Sequence, residues 1–337
     1  MPTQTDFQQL LLREILKKYA RKSDATSALE KVLSVGRDSI SRRLRGDTSL
    51  TAQEVFILAR HYQISLDQLV HEGQQEAIFR YNGFGPPITN FLDYLHQIHH
   101  QISVFSQRPN FQVRYATREI PIFIYMMFPK LLTFKLYVYG QTTWKFDYLN
   151  TVDFHFDLLT PQELGVAKET ASIYCANSSK DYWTITILEQ TLNQLEYMVI
   201  AGRIKEAATA LALVDAFQKM IDHAQAMAAQ GQKFLPGRTP NQDNGRFELF
   251  YNEFADTNNM ILATSDQQAA LFHTFDTPNF LFTTDSRICT TVENWFDTTL
   301  GNSTSISVHS GLNRNKYFNR LSQRLEQTKR RMELAYT

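Results

Sequence analysis

The chain has 337 residues, more than one hydrophobic core usually serves, so length alone predicts two or three domains. Its 34 Lys and Arg balance 34 Asp and Glu, which excludes a general nucleic-acid coat protein and confines any polyanion affinity to a local patch. Cys175 and Cys289, far apart, give no disulfide framework or CxxC site and read as reduced core thiols; without a leader pattern or a long apolar run, a cytoplasmic location away from membranes is expected.

Phe7, Leu11, Leu12, Ile15, Leu16 and Tyr19 line one side of a first predicted helix. A second opens at Asp24 or Ala25 and carries Ala28, Leu29, Val32 and Leu33 on one stripe. It breaks at Ser34-Val35-Gly36, where Gly36 is expected to take turn dihedrals or cap the next helix. The third, Arg37 to Arg45, turns Ile40 and Leu44 inward and stops at Gly46, leaving Arg37, Asp38, Ser41, Arg42 and Arg45 outward. Thr51-Ala-Gln-Glu54 has capping-box spacing ahead of Val55, Leu58, Ala59 and Tyr62, and Ser65-Leu-Asp-Gln68 repeats it before Leu69 and Val70. Residues 1–73 hold eleven Lys and Arg against nine Asp and Glu, only mildly basic, yet four arginines fall between 37 and 45. The arginine fork suits phosphate and the major-groove edge of guanine, and Asp38 can accept from a cytosine amino group.

Leu33 to Gly46, read LSVGRDSISRRLRG, together with Ile64-Ser-Leu-Asp-Gln-Leu69, resembles the Cro/C1-type (XRE-like) helix-turn-helix family of bacterial and phage transcriptional regulators. The resemblance covers roughly residues 5–73 and implies an all-α, five-helix DNA-binding domain over 1–73. By position it places Arg37, Asp38, Ser41 and Arg42 against bases, with Thr26, Ser27, Arg45 and Thr48 near the phosphate backbone. Three residues depart from the family pattern. Glu30 stands where a small residue is preferred, Ser34 replaces the common turn glycine, and Arg43 occupies a usually apolar position.

The polar stretch from His71 and the breaker-rich Tyr81-Asn-Gly-Phe-Gly-Pro-Pro87 place a linker over 74–87. The remainder, 88–337, reads as a larger α+β domain with a helical middle and an antiparallel sheet. Its first helix carries Phe91, Leu95, Ile98 and Ile102. His96, His99 and His100 flank that stripe, but no acidic partner is placed by spacing, so they read as a polar flank rather than a metal face. Phe111 to Thr117 alternates like a strand. Phe128 to Gly140 admits helix or strand, with proline at its start and glycine at its end favouring helix. A capping box with proline, Thr160-Pro-Gln-Glu163, opens a region expected to be almost wholly helical to about 233, interrupted at Gly202. The alanine-rich segment after Gly202 resembles half a tetratricopeptide unit without a second copy, and reads as close helix packing. Runs at 247–254, 260–264, 269–275 and 280–283 make 247–310 strand-rich, and Asn315 to Met332 forms a last helix.

No phosphate loop, nucleophile elbow or metal-protease motif occurs, and His155, Asp157, His273, Asp285 and His309 receive no catalytic role, so an enzyme and a cofactor are not expected. The high aromatic content suits core packing or an aromatic-lined ligand pocket. The expected function is a sequence-specific regulator that binds double-stranded DNA as a homodimer, with a C-terminal domain sensing a small-molecule or protein effector or mediating assembly. An antitoxin-like interaction scaffold carrying a DNA-binding module is the alternative.

Overall fold

A computed structural model describes residues 7–19, 21–62, 64–66, 69, 77–252 and 259–336. The chain divides into two compact units, residues 1–78 and 79–337. Among the described residues no helix is long and apolar enough to cross a membrane.

The first unit contains α1 (Phe7–Leu16), α2 (Lys22–Leu33), α3 (Arg37–Arg45) and α4 (Ala52–Tyr62). Their apolar stripes meet in one small core of Leu11, Leu12, Ile15, Leu29, Ile40 and Leu58, with Leu44 and Val55 packed against it. The expected fifth helix and its Ser65 to Gln68 cap fall partly on residues 67, 68 and 70, outside the described residues; Leu66 and Leu69 pack on the same core. Between α2 and α3 the left-handed turn residue is Ser34, at φ 53° and ψ 41°; Gly36 takes the second of the two roles expected of it, at the start of α3. Gly36 is extended, at φ −69° and ψ 158°, and is the N-cap residue of α3, its carbonyl accepting from the N–H groups of Ser39 and Ile40.

The second unit is mixed α and β. Its strands are β1 (Arg80–Tyr81), β2 (Gln112–Ala116), β3 (Ser178–Trp183), β4 (Phe247–Tyr251), β5 (Met260–Thr264), β6 (Ala269–Asp276), β7 (Asn279–Thr283) and β8 (Thr304–Ser305). Its helices are α5 (Phe91–Ser106), α6 (Ile122–Tyr125), α7 (Pro129–Thr142), α8 (Pro161–Ala176), α9 (Glu189–Ile200), α10 (Ala207–Gln230), α11 (Ser286–Gly301) and α12 (Gly311–Ala335). The strands form one sheet in the order β1-β7-β6-β5-β2-β3-β4-β8. One face carries the main core beneath α5 to α10 and α12; Cys289, Val292 and Phe296 of α11 cover the other, against Tyr182, Phe250, Leu262 and Leu271.

Four expectations are corrected. The sheet is mixed rather than antiparallel, because β2, β3 and β4 run parallel at its centre. The region 160–233 is not continuously helical. Ser178–Trp183 is the strand β3, hidden in the sequence because two of its buried positions are Ser179 and Asp181 rather than apolar residues. Residues 286–301 within the supposed strand-rich region are helical, with the Asp285 side chain accepting from Arg287 N–H as an N-cap. The stretch assigned to a linker contains β1, whose Arg80 and Tyr81 pair with Phe282 and Leu281 of β7. The ambiguous segment before Gly140 is the helix α7. Every residue from Leu131 to Gly140 is buried, so no polar face marks its period.

Candidate nucleic-acid interface and a buried cavity

α3 owes its exposed face to three anchors. Ile40 is buried in the core, and Gly46, at φ 85°, ends the helix with its N–H and that of Asp47 returned to the carbonyls of Arg42 and Arg43. The third is Gln8 on α1, buried among these elements. Its amide nitrogen donates to the carbonyls of Arg43 and Thr48, both at 2.9 Å, and its oxygen accepts from Leu50 N–H at 2.6 Å. One side chain thus ties the end of α3 and the following loop to α1, which nothing in the spacing announces.

Arg37, Asp38 and Arg42 are exposed and Ser41 half-buried on that face, and among the described residues none has a side-chain hydrogen bond or ion pair. Arg45 is exposed and pairs with Asp47 at 2.8 Å. Ser27 is exposed and Thr48 half-buried at its edge. Thr26 does not belong with them: it is buried, and its hydroxyl donates to the Lys22 carbonyl one turn back in α2. Arg43, the departure from the family pattern, turns inward. Its guanidinium meets Glu54 at 2.8 Å and donates to the Ser39 carbonyl, with 14 % of each charged side chain exposed. Glu54 also accepts from Thr51 N–H, while Thr51 Oγ1 accepts from Glu54 N–H, completing the expected capping box. Burial pushes the Glu54 carboxyl up, but the Thr51 and Arg43 hydrogen bonds outweigh it and hold it below its ordinary value.

In the second unit a cavity of about 190 Å³ lies over the sheet. Its floor follows from strand register. Tyr115, Ile261 and Phe272 are successive partners across β2, β5 and β6, so their side chains share one face; Asp181, the β3 partner of Tyr115, is on that face without lining the cavity. Ile98, Ile102 and Phe105 of α5 line it as well, with Phe123 and Tyr174.

Two buried lysines stand at this site with different surroundings. Lys135 of α7, 1 % exposed, donates to Glu119 at 2.5 Å, Thr191 at 3.0 Å and Gln194 at 3.1 Å. Glu119 faces the cavity; Lys135 lies behind it. Lys233, also 1 % exposed, lines the cavity itself. Its ammonium sits 3.7 Å from the centre of the Tyr174 ring and, among the described residues, hydrogen-bonds only to the Tyr174 carbonyl, at 3.4 Å. Among the described residues no carboxylate lies within 4.0 Å of it. Burial lowers Lys233 to about 8, opposed by the charge of Asp181. Burial likewise raises Asp181 to about 6, opposed by Lys233 and by Ser179, whose hydroxyl donates to Oδ1 at 2.7 Å. Asp181 Oδ2 makes no hydrogen bond of normal geometry, although the Trp183 indole is close enough to favour the carboxylate.

Of the histidines weighed for metal, His99 Nδ1 lies 3.1 Å from Thr170 Oγ1 and links α5 to α8, while His96 and His100 are exposed. Among the described residues no group of three or more His, Cys, Asp or Glu could hold a metal ion. Cys175 and Cys289 are free and buried, and burial raises their thiols to about 12 and 11. Compared with known proteins, the chain matches no family model, no curated protein and no solved structure.

Proposed function

We propose that the protein is a sequence-specific regulator that binds double-stranded DNA through a helix-turn-helix formed by α2 and α3, and that its second unit senses a small molecule. The observation that carries this reading is the outward face of α3. Arg37, Asp38, Ser41 and Arg42 project together from a short, anchored helix, and none is neutralised by a neighbour among the described residues. Charged groups left without partners on a rigid element are ready for an external one. Arginine matches guanine O6 and N7 or phosphate, and Asp38 matches a cytosine amino group. Ser27, Arg45 and Thr48 at the rim supply phosphate contacts; Thr26 is removed from that set by its own helix.

A nine-residue recognition helix reads few base pairs, so the reading includes a homodimer spanning two half-sites about 34 Å apart. Selection of binding sites from random DNA with the full chain tests it. An enriched, inverted-repeat sequence is the expected result. Retention of unrelated sequences alone, with a salt dependence unchanged in Arg42→Ala, would sink the assignment.

A further inference from the structure

The two buried lysines give an internal comparison. An ammonium has three protons to place, and Lys135 places all three on oxygen acceptors. Lys233 has one long hydrogen bond and an aromatic face, and it borders open space. A buried cation with unused donors facing a cavity is costly unless an anion or water answers it. The cavity is apolar and ring-rich: Tyr174, Phe123 and Tyr115 lie at the Lys233 end, and Phe105, Phe272 and Phe280 line the far end, Phe272 being three strands, about 14 Å, from Asp181. A cavity of about 190 Å³ takes one substituted ring, since an apolar cavity of about 150 Å³ already holds benzene.

We infer that this cavity binds a small one-ring aromatic acid, its carboxylate on Lys233 Nζ and its ring against Tyr115 and Phe123 at the same end of the cavity. The carboxylate takes the donors that Lys233 leaves unused, and Glu119 does not repel it strongly because Lys135 and Thr191 already neutralise and bond that group. The charge of Asp181 also acts on the ammonium and limits affinity, which suits a reversible effector. The inference deepens the sensor half of the proposed function and rests on that reading only for its effect on DNA binding.

The test is titration calorimetry on the full chain, without DNA, using benzoate, phenylacetate, their neutral amides and hexanoate. One of the two aromatic acids should bind one-to-one, and its amide about tenfold or more weaker, as expected when a charge-assisted hydrogen bond is lost. Lys233→Met should erase that preference, and Ala263→Phe, which fills the cavity from β5, should abolish binding of acid and amide alike. The wild-type contrast between acid and amide stands even if a variant fails to fold. Equal binding of acid and amide, an acid preference retained in folded Lys233→Met, hexanoate equal to the aromatic acids, or no binding at millimolar concentration would each overturn it. DNA binding is scored separately: an acid that binds a chain with no sequence preference for DNA keeps the inference and defeats the regulator reading.

Discussion

On α3, Arg37, Asp38 and Arg42 stand in solvent without a side-chain partner among the described residues, whereas in the second unit Lys135 and Lys233 are both 1 % exposed. In water an unpaired charge costs little, so α3 keeps its groups available at no great expense to folding. Inside the protein the same vacancy carries a desolvation penalty, and the chain answers it fully at Lys135 and incompletely at Lys233. On α3 it is therefore the clustering of these groups on one anchored helix that carries meaning, whereas at Lys233 the missing partner itself does.

The largest effect separates these cases. Lys135→Met should destabilise the protein by about 3 to 5 kcal/mol in urea unfolding, because Glu119 would remain largely buried without its cation. A change below about 1 kcal/mol would mean that the Lys135 cluster is not the saturated site that the comparison needs.

The Asp181 and Lys233 pair should leave a signature in pH. Asp181 is raised to about 6, so its contribution to stability is complete below its ordinary value and is lost as pH rises through about 6. Lys233 is lowered to about 8, so its contribution is complete above its ordinary value and is lost as pH falls through about 8. Both losses coincide between those values. Relative to an Asp181→Asn/Lys233→Met double variant, the wild type should show a stability minimum near neutral pH, deep by on the order of 3 kcal/mol. A constant difference between the two proteins from about pH 4 to 10 would refute it.

Adjacent arginines sharpen the contrast within α3. Arg42→Ala should cost about 1 to 3 kcal/mol in binding the preferred DNA site and leave the thermal midpoint within a degree or two. Arg43→Ala should do the reverse: lose about 1 to 2 kcal/mol of folding stability with Glu54 and the Ser39 carbonyl deprived of their donor, and keep the sequence preference of any DNA binding. Identical profiles for the two variants in paired unfolding and gel-shift measurements would dissolve the distinction between outward and inward arginines.

The smallest effect concerns the turn that aims α3. Ser34→Gly should stabilise the chain by about 1 kcal/mol, since Ser34 holds the left-handed conformation that glycine adopts without strain. Loss of stability on chemical denaturation would show that the serine side chain compensates for its backbone.

These cases also mark what the sequence made legible. The helices of the first unit could be read because each is short, amphipathic and bounded by residues with a single use, such as Gly46 and the Thr51 to Glu54 box. α7 and β3 could not, for opposite reasons: α7 is buried all round and loses its polar face, while β3 turns Ser179 and Asp181 into the core and loses its apolar one. α11 resembles a strand because Thr, Val, Trp and Phe dominate it, yet Cys289, Val292, Phe296 and Thr299 keep helical spacing. The outward face of α3 was readable from its period; Thr26, placed near the phosphate backbone by the resemblance alone, faces inward on α2. The cavity was not, because its two lysines come from residues 98 positions apart and acquire meaning only from what surrounds them.

The edge strand β1 begins two residues beyond the boundary of the first unit, and its backbone is bonded to β7. Asn82 extends the join: its Oδ1 accepts from Phe280 N–H at 2.7 Å, and the Tyr81 hydroxyl reaches Asp276. Phe280 is itself a wall of the cavity, and its neighbour across the hairpin is Thr274, another wall residue. The first residues of the second unit are therefore hydrogen-bonded to the hairpin that walls the cavity, so a change at Asn82 is felt one bond away at Phe280.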